Sequence, residues 1–479
     1  MKALNNETVQ ARKTYPVKIL QFGEGNFLRA FVDWMIQQAN NKIDYNAGVV
    51  IVQPLANGLV EMLKKQDCMY HVSLQGIKDG KPVEETELIE CVMDAVNPYA
   101  EYAKYEEYFL SEDLEIVISN TTEAGISRID DEDINALPPK SYPGKMTALL
   151  YKRYKKYAGA ADKGLSVICC ELIDKNADIL KEIVLELAEQ NNLEADFINW
   201  LNSACTFSST LVDRIVPGFP KDNIKEIQAE LGYEDNLVVV GEYFHLWAIE
   251  AGENVRSKFP MDSAGLNVVW LDDMKAFRDK KVRVLNGSHT ALVPVGLLCG
   301  HETVKEAFDD ETVSTYIKSM VAEEVLPNIE GDKEKLVAFA DEILERFFNP
   351  YIRHFLKDIS LNSLSKWVTR DFPTVKDTVA STGKLPKKVT FSLAALLVLY
   401  KPGNPIGFEA KDTPELLEII NSVWASDSSV EEKVQSILSN DKIWGINLDE
   451  VPGFSAAVAG YVNNILDNSI QSALAEILK

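Results

Sequence analysis

Three side chains in the segment from Lys281 to His289, Lys-Val-Arg-Val-Leu-Asn-Gly-Ser-His, are of types that suit carbonyl reduction. A lysine whose pKa is lowered by burial passes a proton to or from an alcohol, and an asparagine amide donates to a carbonyl oxygen as negative charge grows there. A histidine can orient the same hydroxyl. Lys281, Asn286 and His289 are five and three residues apart in a stretch that reads as helical. At about 100° per residue, Asn286 and His289 lie about 60° apart and Lys281 about 140° from Asn286, so all three can face one cleft. The spacing fits equally an ordinary helix with an exposed lysine, a capping asparagine and a satisfied histidine. A second asparagine, Asn176, follows the apolar run 165–170. It either completes an oxyanion-binding pair at a strand's carboxyl edge or caps the helix that begins near Ala177.

A different chemistry is written near the start. The string Gln21-Phe22-Gly23-Glu24-Gly25-Asn26-Phe27-Leu28-Arg29-Ala30 ends an apolar run and opens a helical period. Glycines let the backbone approach a pyrophosphate, and the following helix offers free N–H groups and a partial positive charge. Phe22, Gly23, Gly25, Asn26 and Phe27 are therefore candidates for holding a dinucleotide, against the alternative of a tight structural turn. The third glycine of the usual pattern is replaced by Leu28. Arg29 is either a phosphate contact or a solvated helix residue. The acidic ribose partner expected after the second strand is missing, because Val49-Val50-Ile51-Val52 runs into Gln53, so NAD or NADP is weakly encoded there. Thr122 and Glu123, in Asn-Thr-Thr-Glu-Ala-Gly after the run 114–119, stand where open α/β sheets place ligands. A capped helix start with Glu123 in its first turn is the competing account.

These residues need a scaffold, and the first half alternates its periods. Strands are expected at 17–22, 49–52, 114–119, 165–170, 237–240 and 268–271, with helices at 146–157 and 179–188. Beyond residue 275 helical patterns take over, at 304–307, 313–325, 336–347, 416–424 and 458–478. The expected fold is α/β: a Rossmann-type domain over residues 1–275 with a doubly wound, mostly parallel sheet, and a mostly α-helical domain over 276–479. A chain of 479 residues also exceeds what one core normally holds.

Composition narrows the partners. With 49 basic and 73 acidic residues, a net charge of −24, the surface repels nucleic acid and anionic membranes. The longest apolar run, 391–400, is about half a membrane span, and the amino terminus lacks a signal-peptide core. The six cysteines show no CxxC spacing and the five histidines no HExxH, so reduced thiols and a metal-free mechanism are expected. A cytoplasmic protein, monomeric or a small homo-oligomer, follows as the expectation.

Four ordered motifs resemble the polyol-specific long-chain dehydrogenases, the mannitol dehydrogenase family, in a match that covers nearly the whole chain. They are Gly23-x-Gly25-x-Phe27-x-Arg29-Ala30, Thr122-Glu123-Ala124-Gly125, Val212-Asp213-Arg214-Ile215, and Lys281-x4-Asn286-x2-His289. The resemblance implies that Lys281 is the general acid in reduction and the base in oxidation, without a metal. It implies further that Asn286 and Asn176 polarise the carbonyl, that His289 and Asp213 lie at the substrate, and that Lys366 contacts substrate hydroxyls. An arginine that mannitol dehydrogenases carry eight residues before that lysine is Asp358 here, a departure that weakens a polyol assignment. Leu28 in place of the histidine of other branches, together with Asn349-Pro-Tyr-Ile-Arg353-His354, is similar to the branch that reduces the keto sugar acid tagaturonate to D-altronate with NADH. Arg353 or Lys366 would then meet the carboxylate of a small sugar-acid substrate, with His354 a further candidate for touching the substrate. Fructuronate reductases and mannitol-type dehydrogenases are the alternatives within the family, and a non-catalytic nucleotide-binding sensor the alternative outside it.

Overall fold

Uninterrupted runs of Val, Ile and Leu become the middle of a six-stranded sheet. The computed structural model describes residues 1–9, 12–78, 80–122, 124–351 and 353–479. The strands are β1 (Val17–Phe22), β2 (Gly48–Val52), β3 (Val92–Val96), β4 (Ile116–Ser119), β5 (Ser166–Cys169) and β6 (Thr206–Ser208). Their order is β3-β2-β1-β4-β5-β6, with every neighbouring pair parallel. The strands β1 to β5 feed both faces. Ile19, Val49, Ile51, Ile116 and Ile118 join the apolar cluster that includes Phe31 and Met35, while Leu20, Val50, Val52 and Val117 join that of Met146, Leu150 and Val184. Burial on both sides is why these strands read as continuous rather than alternating.

The order reverses between β1 and β4, and at such a point the loops leaving the carboxyl ends of the two strands part to form a crevice. The glycine turn follows β1 and the threonine turn follows β4.

Two expected strands do not join this sheet. Val239–Glu242 pairs parallel with Tyr70–Lys78, which pairs antiparallel with Lys81–Ile89. Val268–Leu271 pairs parallel with Leu246–Glu250, which pairs antiparallel with Thr210–Asp213. An apolar run specifies that a segment is buried and extended, but the partner is chosen by chain geometry.

The structure separates into two units, Met1–Met274 and Lys275–Lys479. In the second, every described element is helical. Its centre is the helix Lys387–Leu399, buried from Val389 onward, which packs against Ser288–Leu298 and Phe454–Asn468. This helix takes up most of the longest apolar run. Among the described residues no helix is long and apolar enough to cross a membrane. The pattern at 458–478 is two helices, broken at Ser469, whose φ is 123°. Among the described residues three π segments, Arg29–Asp33, Val282–Gly287 and Val321–Val325, interrupt helices.

Candidate active site

In the first unit the glycine turn is held from two sides. Gly23 N–H donates to Val52 O at 3.0 Å, and Asn120 N–H donates to Phe22 O at 3.0 Å. Gly23 has φ 126°, and a Cβ there would lie 2.9 Å from Asn120 O, so glycine is required. Gly25 is exposed; among the described residues nothing comes within 4 Å of where its Cβ would stand, and its helix has no side-chain cap. These open N–H groups fit a dinucleotide pyrophosphate.

Not every residue of the motif faces outward. Phe22 is fully buried and packs against Tyr105 and Tyr142, so only its backbone belongs to the turn. Phe27 stacks on Phe31 at 4.9 Å. Arg29, expected at a phosphate or in solvent, is 2% exposed. Its guanidinium donates to Glu24 O (3.0 Å), Leu237 O (2.6 Å) and Asn26 Oδ1 (2.7 Å), which braces the turn from within. Beneath it, Gln21 Nε2 donates to Gly23 O (3.2 Å) and Asp33 Oδ2 (3.3 Å), and Tyr70 OH donates to the same oxygen at 2.6 Å. Burial raises the Asp33 carboxyl to about 7.

The turn after β4 was found by its motif, but its organiser was not. Buried Glu171 accepts from Thr121 N–H (2.9 Å), Thr121 Oγ1 (3.0 Å) and Ser119 Oγ (3.1 Å). Thr122 is exposed with φ 74°. Glu123 lies outside the described residues.

Asn176 overturns an expectation. It is fully buried, its Nδ2 donates to Cys169 O (3.0 Å), Glu171 O (2.9 Å) and Thr210 O (3.3 Å), and its Oδ1 accepts from Ala177 N–H (2.9 Å) and Thr210 N–H (3.1 Å). No capacity is left for a substrate carbonyl; the side chain ties the end of β5 to Thr210–Asp213. Lys175, not Asn176, is the N-cap of the helix that follows. Asp213 ends its strand half-buried, and the next residue, Arg214, is a clamp that donates to Ala30 O (2.6 Å), Phe244 O (3.0 Å) and Tyr243 O (3.2 Å).

In the second unit, the helix Met274–Lys281 ends at Lys281 and continues through the π turn Val282–Gly287 into Ser288–Leu298. A π turn inserts about one extra residue, so about 100° is removed from the helical count. Lys281 and Asn286 are then about 40° apart, not 140°, and Lys281 stands about 20° from His289. By that count the three positions fall along one narrow face of the helix. Arg283 anchors the turn elsewhere, to Asp377 Oδ2 (2.6 Å) and Asn328 O (3.3 Å).

The His289 ring stacks on Phe347 at 4.2 Å and meets the edge of His354 at 5.2 Å. Burial, then the nearby His354, Arg346, Arg370 and Lys281, hold His289 well below its ordinary pKa, so the ring is neutral. His354 thus joins the group, whereas Arg353 is exposed and lies over Phe355. Half-buried Lys366 donates to Ile359 O at 2.9 Å; burial and then Arg370 lower its pKa. Arg370 is a residue the sequence reading missed. It donates to Thr290 Oγ1 at 3.2 Å, and Thr290 Oγ1 donates to Asn286 O at 2.9 Å. The available signal was its position four residues after Lys366, one helical turn along. Among the described residues no group of three or more His, Cys, Asp or Glu side chains could hold a metal ion.

Residues 17–262 match the family described as the mannitol dehydrogenase Rossmann domain, and residues 273–466 the mannitol dehydrogenase C-terminal domain. The chain belongs to the mannitol dehydrogenase family. It is an oxidoreductase acting on CH–OH groups, with the Rossmann-type and helical domains of that family. Among relatives, an altronate oxidoreductase of Phocaeicola vulgatus is 43% identical over 100% of both chains. That of Bacillus subtilis is 42% identical over 99% of this chain and 98% of its own. Two solved structures share the fold. A substrate-free D-sorbitol dehydrogenase has a TM-score of 0.83 at 20% identity, covering 99% of this chain and 100% of its own. Pseudomonas fluorescens mannitol 2-dehydrogenase, solved with NAD and D-mannitol, has a TM-score of 0.71 at 22% identity, covering 100% and 99%.

Proposed function

We propose that this enzyme interconverts D-tagaturonate and D-altronate with NADH and NAD. The observation that carries the assignment is identity of 43% and 42%, over 100% and 99% of this chain, with relatives named altronate oxidoreductase. A bound nicotinamide supplies or receives the hydride. Gly23, Gly25 and the helix beginning at Asn26 would hold its pyrophosphate, and Thr122 would flank it. Lys281 gives a proton to the carbonyl oxygen during reduction and takes it back during oxidation. Asn286 donates its amide N–H to the same oxygen, where negative charge develops. Neutral His289, its plane fixed by Phe347, can accept from or donate to a substrate hydroxyl. Asp213 is assigned to the substrate by motif.

A carboxylate substrate needs cations, and the second unit gathers them although the chain carries a net −24. Lys366 and Arg370 stand one helical turn apart, and the charge of Arg370 bears on both Lys366 and His289. These two, rather than exposed Arg353, are assigned to the carboxylate. The test is a substrate panel: NADH oxidation with tagaturonate, fructuronate and fructose side by side. Tagaturonate should give the highest kcat/KM, and a preference for fructose would overturn the assignment.

A further inference from the structure

The position after β2 that usually carries the ribose-binding acid is Gln53, and the structure removes it from any such role. Gln53 is 2% exposed, its Nε2 donates to Leu55 O (2.8 Å) and Ala56 O (3.0 Å), and its Oε1 accepts from Val60 N–H at 3.3 Å. The side chain is consumed by its own loop.

A carboxylate nevertheless reaches that loop, from the other side. Glu24 stands between the two glycines of the turn after β1, and a Cβ built on Gly58 would lie 2.2 Å from Glu24 Oε1 and 2.6 Å from Gln53 Cδ. The absence of a side chain at Gly58 is therefore what lets Glu24 lie beside Gln53. Glu24 is half-buried, while Leu55, Ala56, Asn57 and Gly58 are exposed, so the carboxylate sits at the floor of an open loop. Burial raises its carboxyl above the ordinary value, opposed by the amides of Glu24 and Leu59 and by Arg29.

We propose that Glu24 replaces the missing acid after β2, accepting hydrogen bonds from the adenosine ribose hydroxyls of NAD and repelling the 2′-phosphate of NADP. This rests on the dinucleotide reading of the glycine turn. Carboxylates take the vicinal hydroxyls of a ribose well, and a phosphate dianion beside one is disfavoured by like charge.

The test is equilibrium binding of NADH and of NADPH to the full-length protein, followed by nicotinamide fluorescence, for the wild type, Glu24→Gln and Glu24→Ser. Glutamine keeps an oxygen for the Leu59 amide and removes only the charge. The expected result is NADH binding weaker by about tenfold in both variants, with NADPH unchanged or tighter, so that selectivity shifts by at least about tenfold. Should one variant fail to fold, the other carries the measurement. Wild-type protein that binds neither nucleotide would remove the dinucleotide reading itself. A wild type that prefers NADH, with variants that lose both nucleotides equally or neither, would instead reduce Glu24 to a loop brace and overturn the proposal.

Discussion

Thr210 grips the Asn176 amide from both directions, its N–H donating to Oδ1 at 3.1 Å and its carbonyl accepting from Nδ2 at 3.3 Å. Asn176→Ala would orphan backbone groups in a dry interior, at a cost of roughly 2–4 kcal/mol. Asn286→Ala should instead lower kcat and leave the urea midpoint nearly unmoved. Urea unfolding and steady-state kinetics on both variants check the contrast, and a catalytic defect without instability in Asn176→Ala would restore it to the site.

Lys281→Ala should reduce the chemical step by roughly 10² to 10⁴, the range for a positioned proton donor, while the Kd for NADH stays unchanged. Single-turnover reduction separates the two quantities. A loss under tenfold would deny Lys281 the proton transfer.

Gly287 ends the π turn against Asp371, whose Oδ1 would lie 2.8 Å from a Cβ at that position. Asp371 is buried, and burial raises its carboxyl well above the usual range. Gly287→Ala should cost about 1–3 kcal/mol through overpacking and should lower kcat by displacing Asn286 relative to Lys281. Paired melting and kinetic measurements test this; normal turnover would mean that the turn tolerates the shift.

Arg370→Ala should raise the KM for tagaturonate by about tenfold or more and spare turnover of the uncharged ketose fructose, since the loss is of a charge-assisted contact. Arg353→Ala should change neither. Equal losses on both substrates in Arg370→Ala would point to support of Thr290 alone.

Asp33 supplies the pH dependence. Its carboxyl is raised to about 7 by burial, above the ordinary value near 4 in an unfolded chain. Between those values the folded protein keeps a proton that the unfolded chain releases, so this group's contribution to stability is full below about pH 4 and is lost as pH rises toward and past 7. Asp33→Asn should flatten that slope. The expected difference between wild type and variant, from pH 5 to pH 8, is on the order of 2–3 kcal/mol in urea unfolding, and parallel curves would refute it.

The parts that local chemistry dictates were legible in the residues. Apolar runs marked β1, β2, β4 and β5, and Gly23 marked the turn, because its backbone φ of 126° leaves little choice of residue. The spacing of Lys281, Asn286 and His289 marked a helical segment, though the π turn within it, which changes the angles between the three positions, has no sequence signature at this length.

Tertiary structure decided the rest. Asn176, Arg29 and Gln53 are residue types that serve a ligand or the backbone equally well, and the choice depended on which carbonyls the folded chain brought within 3 Å of each. Glu24 and Arg370 passed unnoticed for the opposite reason. Their neighbours, Gly58 and Thr290, lie 34 and 80 residues away, so although Arg370 stands one turn after Lys366, its meeting with Thr290, like that of Glu24 with Gly58, is made only by folding.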